Sequence, residues 1–127
     1  MSKSKSVLRY KTALTPIKGN LKIVSLKKEN DLNKILKRQK KTKSVINILF
    51  VSLWDEHCEK LVERIVDAHS NKAEEHNEVL FLVDSYSMPH SFVIFNSTKV
   101  PHLVRLEGER VLSEDYIPVI HQFFGLD

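Results

Sequence analysis

The stretch "VINILFVSLWDEHCEKLVERIVDAH", residues 45–69, decides how the rest of the chain is read. Its first part is almost continuously apolar and rich in β-branched residues, as expected of a strand covered on both faces. Its last part places Leu61, Val62, Ile65, Val66 and His69 at helical spacing, with Glu59, Lys60, Glu63, Arg64 and Asp67 opposite. Between the two lies "WDEHC", which holds Trp54, Asp55 and the only cysteine, Cys58. A buried strand thus runs into an amphipathic helix, with a candidate thiol site at the junction.

Working outward, "NLKIVSL" alternates around Leu21 and Ile23, with Val24 and Leu26 less regular, and predicts an edge strand. "KENDLNKILKRQKK" aligns Leu32, Ile35 and Leu36 on one helical face, with an Asn/Asp start and a basic end that suits the helix dipole. "EVLFLVD" predicts a second buried strand. In "SYSMPHSFVIFNSTKV", Ser87 and Pro89 suggest the start of a short helix. "PHLVRL" and "RVLSE" flank "EGER", a hairpin around Gly108. "DYIPVIHQFFG" predicts a last helix, capped by Asp115, with Pro118 in its first turn and Gly125 as its stop. The order β-α-β-α-β-(short α)-β-β-α requires a parallel pair by crossover and an antiparallel pair by hairpin. It predicts an α/β protein with a mixed sheet of four or five strands flanked by helices.

Residues 21–127 of this order resemble the thioredoxin-like family. Thioredoxins carry W-C-x-x-C where a buried strand meets a long helix, and this chain has W-D-E-H-C there. "KVPHLVRLEGERV" is similar to the family's cis-proline and hairpin, which makes Pro101 the candidate cis-proline; Asp84 corresponds to an acidic residue that ends a central strand in many members. The resemblance implies a thioredoxin-like domain over residues 21–127; residues 1–20 lie outside it and, aperiodic and rich in Lys and Ser, read as a basic arm with a short strand expected at "SVLRY". It also implies a contact groove made by Trp54, Asp55, Glu56 and His57 on one side and Val100, Pro101 and His102 on the other.

The departure from the pattern bears on chemistry. In active members the first cysteine is the exposed nucleophile, and Asp55 stands in its place. A carboxylate cannot form the mixed disulfide that exchange requires. Asp55 can instead cap the helix by accepting the N–H of His57 or Cys58, a contribution of about 1 kcal/mol, and its charge disfavours a neighbouring thiolate. Cys58 corresponds to the resolving cysteine and is expected to be a small buried apolar residue. No dithiol oxidoreductase activity is expected. A non-catalytic interaction module within a larger assembly is the leading reading. The alternatives are a monothiol redox protein using Cys58 and a nucleic-acid-associated factor.

Other constellations are thinner. His57, Cys58 and His102 could approach one another, but zinc needs three or four ligands and no C-x-x-C or H-x-x-x-H spacing supplies them, so neither metal nor cofactor is expected; the two histidines are expected at the surface. Adjacent His57 and Cys58 diverge by about 100° on a helix, poor geometry for a base and its nucleophile. Phe92, Phe95, Phe123 and Phe124 sit in apolar runs and are expected in the core rather than as a stacking surface. His69 is expected on the apolar helix face; His76, His90 and His121 have no recognisable partners.

The 127 residues are 42% apolar and 28% charged, which suits one soluble domain. No apolar run approaches the roughly 20 residues needed to span a bilayer, and the N-terminus lacks the apolar core of a secretory signal. One cysteine excludes an internal disulfide and fits a cytoplasmic or other reducing intracellular compartment. Charge is unevenly divided. Residues 1–43 hold 14 Lys and Arg against two acids, a net of +12; the remainder hold 6 against 14, a net of −8, giving +4 overall. Lys37, Arg38, Lys40, Lys41 and Lys43 form the densest cluster, an expected surface for an acidic partner unless it merely solvates the helix. A protein partner is favoured over nucleic acid, because no aromatics interleave with the lysines to stack on bases.

Overall fold

The computed structural model describes residues 14–17, 19–69 and 78–126. Of the arm expected over residues 1–20, residues 1–13, with the strand expected at "SVLRY", and residue 18 lie outside them, while Leu14 and Ile17 pack against the core.

The elements are β1 (Leu21–Ser25), α1 (Glu29–Thr42), β2 (Val45–Val51), α2 (Glu56–His69), β3 (Glu78–Asp84), α3 (Ser91–Ile94), β4 (His102–Glu107), β5 (Arg110–Glu114) and α4 (Ile117–Phe124). This is the order expected from the sequence. The five strands form one sheet, β1-β3-β2-β4-β5, with β3 parallel to β1 and β2, and β4 antiparallel to β2 and β5. The strand with the longest apolar run, β2, is therefore paired on both edges, and all its residues after Val45 are buried.

Strand alternation divides the apolar residues between two cores. On one face Leu21, Leu49, Val51, Leu80 and Leu103 meet Cys58, Leu61 and Ile65 of α2 and Ile120, Phe123 and Phe124 of α4. On the other, Ile46, Ile48, Phe50, Val83, Val104 and Leu106 meet Leu32 of α1, with Phe92 and Phe95 packed alongside. The four phenylalanines singled out in the sequence are thus core residues. Phe92 stands edge-on to Phe50 at 5.1 Å, and Phe123 edge-on to Phe124 at 5.0 Å.

Two helix starts differ from expectation. Helix α1 begins at Glu29 after Lys28, which makes no side-chain cap, so its acids act through the dipole from the first turn instead. Asp115 does not cap α4. Tyr116 is the N-cap residue and gives the helix no side-chain cap, and Glu114 Oε1 accepts the N–H groups of Asp115 and Tyr116 at 3.1 and 3.0 Å. Pro118 and Gly125 play their expected parts, Gly125 taking the left-handed conformation at φ 69°. The hairpin turns through Gly108 and Glu109, with Gly108 at φ 65°.

Candidate functional site

The site begins where β2 ends. The Ser52 carbonyl accepts the Asp55 N–H at 2.9 Å, which turns the chain into α2. Asp55 Oδ1 accepts the His57 N–H at 2.8 Å, and the Asp55 carbonyl receives Glu59 N–H at 3.0 Å. Asp55 is therefore the cap of α2, satisfying one donor that the first helical turn leaves free. Behind it, Cys58 is wholly buried (0% exposed) against the β2–α2 core. Burial pushes the Cys58 thiol above its ordinary value; Asp55 and Asp84 add to the rise, against a lowering backbone hydrogen bond at Ser52.

Asp84, at the end of β3, reaches across to this junction. Its Oδ1 accepts the Leu53 N–H at 2.8 Å and its Oδ2 the Tyr86 N–H at 3.2 Å. The two loops so joined display Trp54, 80% exposed, edge-on to Tyr86, 74% exposed, with 5.9 Å between ring centroids. Alongside, His57, Lys60, Leu61 and Arg64 of α2 face Pro101, Ile117 and His121 across a cleft of about 220 Å³. The Val100–Pro101 peptide is cis. Glu56 points to solvent and pairs with Lys60 at 3.0 Å.

This arrangement, one mixed sheet with helices on both faces, matches many solved structures. The chain is similar to thioredoxin O2 from Arabidopsis thaliana in its oxidised state, at 18% identity and a TM-score of 0.63, over 78% of this chain and 86% of that one. It is similar to Schistosoma mansoni thioredoxin at 14% identity and a TM-score of 0.63, over 78% and 87%. The thioredoxin of Fasciola hepatica gives 14% identity and a TM-score of 0.59, over 82% and 99%. The fold is thioredoxin-like. No family model and no curated protein sequence matches the chain, so the likeness is one of fold.

Within the thioredoxin-like frame, the structure brings together most of the residues picked from the sequence, but not all. His57 and Pro101 line one cleft, with Trp54 and Asp55 at the adjoining helix start and Val100 half-buried beside them. His102 does not join them. It is buried on the other sheet face, stacked on Phe50 at 6.0 Å, with Nδ1 2.6 Å from Ser97 Oγ. Its neighbour Leu103 takes the Cys58 face instead, because successive strand residues alternate sides. The expectations of a surface His102 and of its place in the groove are therefore corrected. Burial pushes the His102 imidazole below its ordinary range, opposed by Asp115 and Glu114.

Among the described residues, no cluster of His, Cys, Asp and Glu could hold a metal ion. His69 is buried, its Nε2 2.8 Å from the Phe124 carbonyl. Lys37, Arg38, Lys40, Lys41 and Lys43 are all exposed, yet they do not make one patch. Arg38 borders a cleft toward β3, whereas Lys40 borders a groove toward β5. No helix among the described residues is long and apolar enough to cross a membrane.

Sequence reasoning missed Tyr86, Ile117 and His121. Tyr86 carried a readable signal, an aromatic residue in the polar run "DSYS" just after a strand. It also missed the polar bridge across β3, β2 and β4, in which Arg105 bonds Glu78 Oε1 at 2.6 Å and Asn47 Oδ1 at 2.9 Å.

Proposed function

We propose that this protein is a non-catalytic thioredoxin-like interaction module that grips an extended protein segment at the Trp54–Pro101 cleft. The observation that carries the reading is the state of the junction: Asp55 fills the attacking position as a helix cap, and the remaining thiol is wholly buried. Neither group can open a disulfide as it stands, because exchange needs an accessible thiolate. What the junction does offer is apolar and exposed. Ile117 and Pro101 line the cleft, Trp54 and Tyr86 are exposed at the helix start that adjoins it, and exposed aromatics next to a cleft suit anchor-type recognition. The half-buried Val100 leaves backbone beside the cleft, where an extended segment can add main-chain hydrogen bonds. The cations at Lys60 and Arg64, the first shared with Glu56, favour a segment with an acidic residue next to its apolar anchor.

The burial of Cys58 and its raised pKa both count against the monothiol alternative. The test combines chemistry and binding. The full chain should leave insulin disulfides intact under dithiothreitol at concentrations where an active thioredoxin reduces them. In a purified complex from native extract, Trp54→Ala and Ile117→Asp should each release the partner, while Cys58→Ser retains it. Loss of the partner only in Cys58→Ser, or disulfide turnover that needs Cys58, would replace this reading with the monothiol one.

A further inference from the structure

Helix α3 is a single turn, and on its side of the sheet Val111 of β5 is left exposed. Opposite the Trp54 end of the sheet, a groove of about 530 Å³ opens between the second half of α1 and the β4–β5 hairpin. Leu36, Ile94, Phe95, Leu106 and Val111 give it an apolar floor. Ile94 and Val111 are 47% and 55% exposed, and Val93 continues the apolar surface. The groove wall is cross-linked. Gln39, buried at its edge, donates from Nε2 to the carbonyls of Ser44 at 3.1 Å and Gly108 at 2.5 Å, which ties α1 to the hairpin.

The rim is basic. Lys40 lines it, Lys37 lies one turn earlier on α1, and Lys43 packs beside Gly108. Glu109 opposes them, while Glu107 is held by Arg105 at 2.7 Å and by Arg110 at 3.7 Å. That charge selects among occupants. The chain's own first 13 residues carry Lys3, Lys5, Arg9 and Lys11, the same sign as the rim. A second copy would bring its own basic rim against this one. A helix suits the space better than a strand, because it would take the place in the α1 layer that the one-turn α3 leaves open. Along β5, five residues span about 16 Å, which matches roughly three turns of helix.

We infer that the groove between α1 and the β4–β5 hairpin takes an amphipathic helix with an acidic polar face, contributed by a partner protein. Apolar anchors at i, i+3, i+4 and i+7 cover Leu36, Ile94, Phe95 and Val111, and carboxylates meet Lys37, Lys40 and Lys43. This surface is separate from the Trp54 cleft, so either reading stands if the other fails.

The probe is a synthetic 14-residue peptide with leucines on one helical face and glutamates elsewhere, titrated into the isotope-labelled full chain and followed by NMR. Amides around Ile94, Leu106 and Val111 should shift. Val111→Asp should weaken binding about tenfold as an anchor contact is lost, and Lys37→Glu with Lys40→Glu about fivefold, more at low salt. Lys22→Glu, on the far edge strand, should change affinity less than twofold. Ile94→Asn serves in place of Val111→Asp if that variant does not fold. The inference is overturned by any of four results: no shifts at millimolar peptide; equal binding of the lysine counterpart or of a proline-interrupted acidic peptide; shifts confined to the Trp54 cleft; or self-association that Val111→Asp abolishes. Duplex DNA that shifts the same amides more tightly than the peptide would overturn it as well.

Discussion

Asp84 holds the Leu53 backbone N–H at 2.8 Å, and through this one bond the end of β3 fixes the loop that enters α2. The same carboxylate holds Tyr86 N–H at 3.2 Å, so the loops bearing Trp54 and Tyr86 share one anchor. Asp84→Ala should lower unfolding free energy by about 1–2 kcal/mol, since two backbone donors lose a charged acceptor. Asp84→Asn should cost less, because its carbonyl still accepts one of them. Urea denaturation measures both. An alanine variant as stable as the parent would mean that water replaces the carboxylate at both donors.

Cys58 should react slowly with Ellman's reagent in the native protein and rapidly after unfolding, because burial hides the sulfur and raises its pKa. The sign for stability follows. Below the ordinary thiol value of 9.0 the folded and unfolded chains both keep the proton, and this group gives no slope. Above it the unfolded chain releases the proton first, so stability falls as pH rises toward the folded value. Cys58→Ala should flatten that alkaline limb. An unaltered limb in the variant would assign the slope to other groups.

How much was legible depended on whether a residue's role was local. The continuous apolar run of β2, the helical period of α2 and the cap at Asp55 are set by neighbours in sequence, and each could be read there. The side of the sheet on which His102 falls is set by parity along β4, and a shift of one residue reverses it. Asp115 looked like a cap because it precedes an apolar helical pattern, but the cap position falls one residue later at Tyr116, and Glu114 takes the N–H groups of Asp115 and Tyr116 before the helix begins. Asn47 interrupts an otherwise apolar strand, yet nothing local names its partners, Glu78 and Arg105, which are 31 and 58 residues away. The Lys40 groove exists only because α1, α3 and the hairpin converge.

The Arg105–Glu78 bridge is the polar feature most exposed to a stability test. Glu78 receives Arg105 at 2.6 and 3.2 Å and Asn47 Nδ2 at 2.9 Å, while the guanidinium lies 5.7 Å from the Phe123 ring centroid. Their side chains are only 14% and 19% exposed. Arg105→Met should cost about 3 kcal/mol, because it leaves a largely buried carboxylate without its cation. Arg105→Met with Glu78→Leu should recover part of that loss, since the buried carboxylate is gone while Asn47 Oδ1 and Glu107 still lose the guanidinium. A double variant as unstable as the single would show that the geometry of the bridge, rather than charge balance, holds the three strands.

His102 should make the protein acid-sensitive in a window below its unfolded value. Burial holds its folded pKa down, against the raising effect of Asp115 and Glu114 on the neighbouring strand and loop. The unfolded chain takes up a proton near pH 6.5 while the folded chain resists. Stability is therefore retained above that pH and lost as pH falls toward the folded value. His102→Phe keeps the stack on Phe50 and removes the titration. Its thermal midpoint should vary less than the parent's between pH 7 and pH 5. Parallel curves for the two proteins would place the acid sensitivity elsewhere.

Replacing the cap tests the junction from the opposite side. Asp55→Ala should cost about 1 kcal/mol, because the His57 N–H loses its acceptor. Asp55→Cys pays a similar cost but sets a thiol at the N-terminus of α2, three residues before Cys58, where the helix dipole favours a thiolate. It also removes the carboxylate that raises the Cys58 pKa. The variant should form an internal disulfide under diamide and reduce insulin disulfides at a measurable rate, where the parent gives none. Both gains should vanish in Asp55→Cys with Cys58→Ser. An Asp55→Cys protein that folds, oxidises and still fails to turn over would move the block on chemistry from residue 55 to the surrounding cleft, with Lys60, Arg64 and Ile117 the next positions to vary.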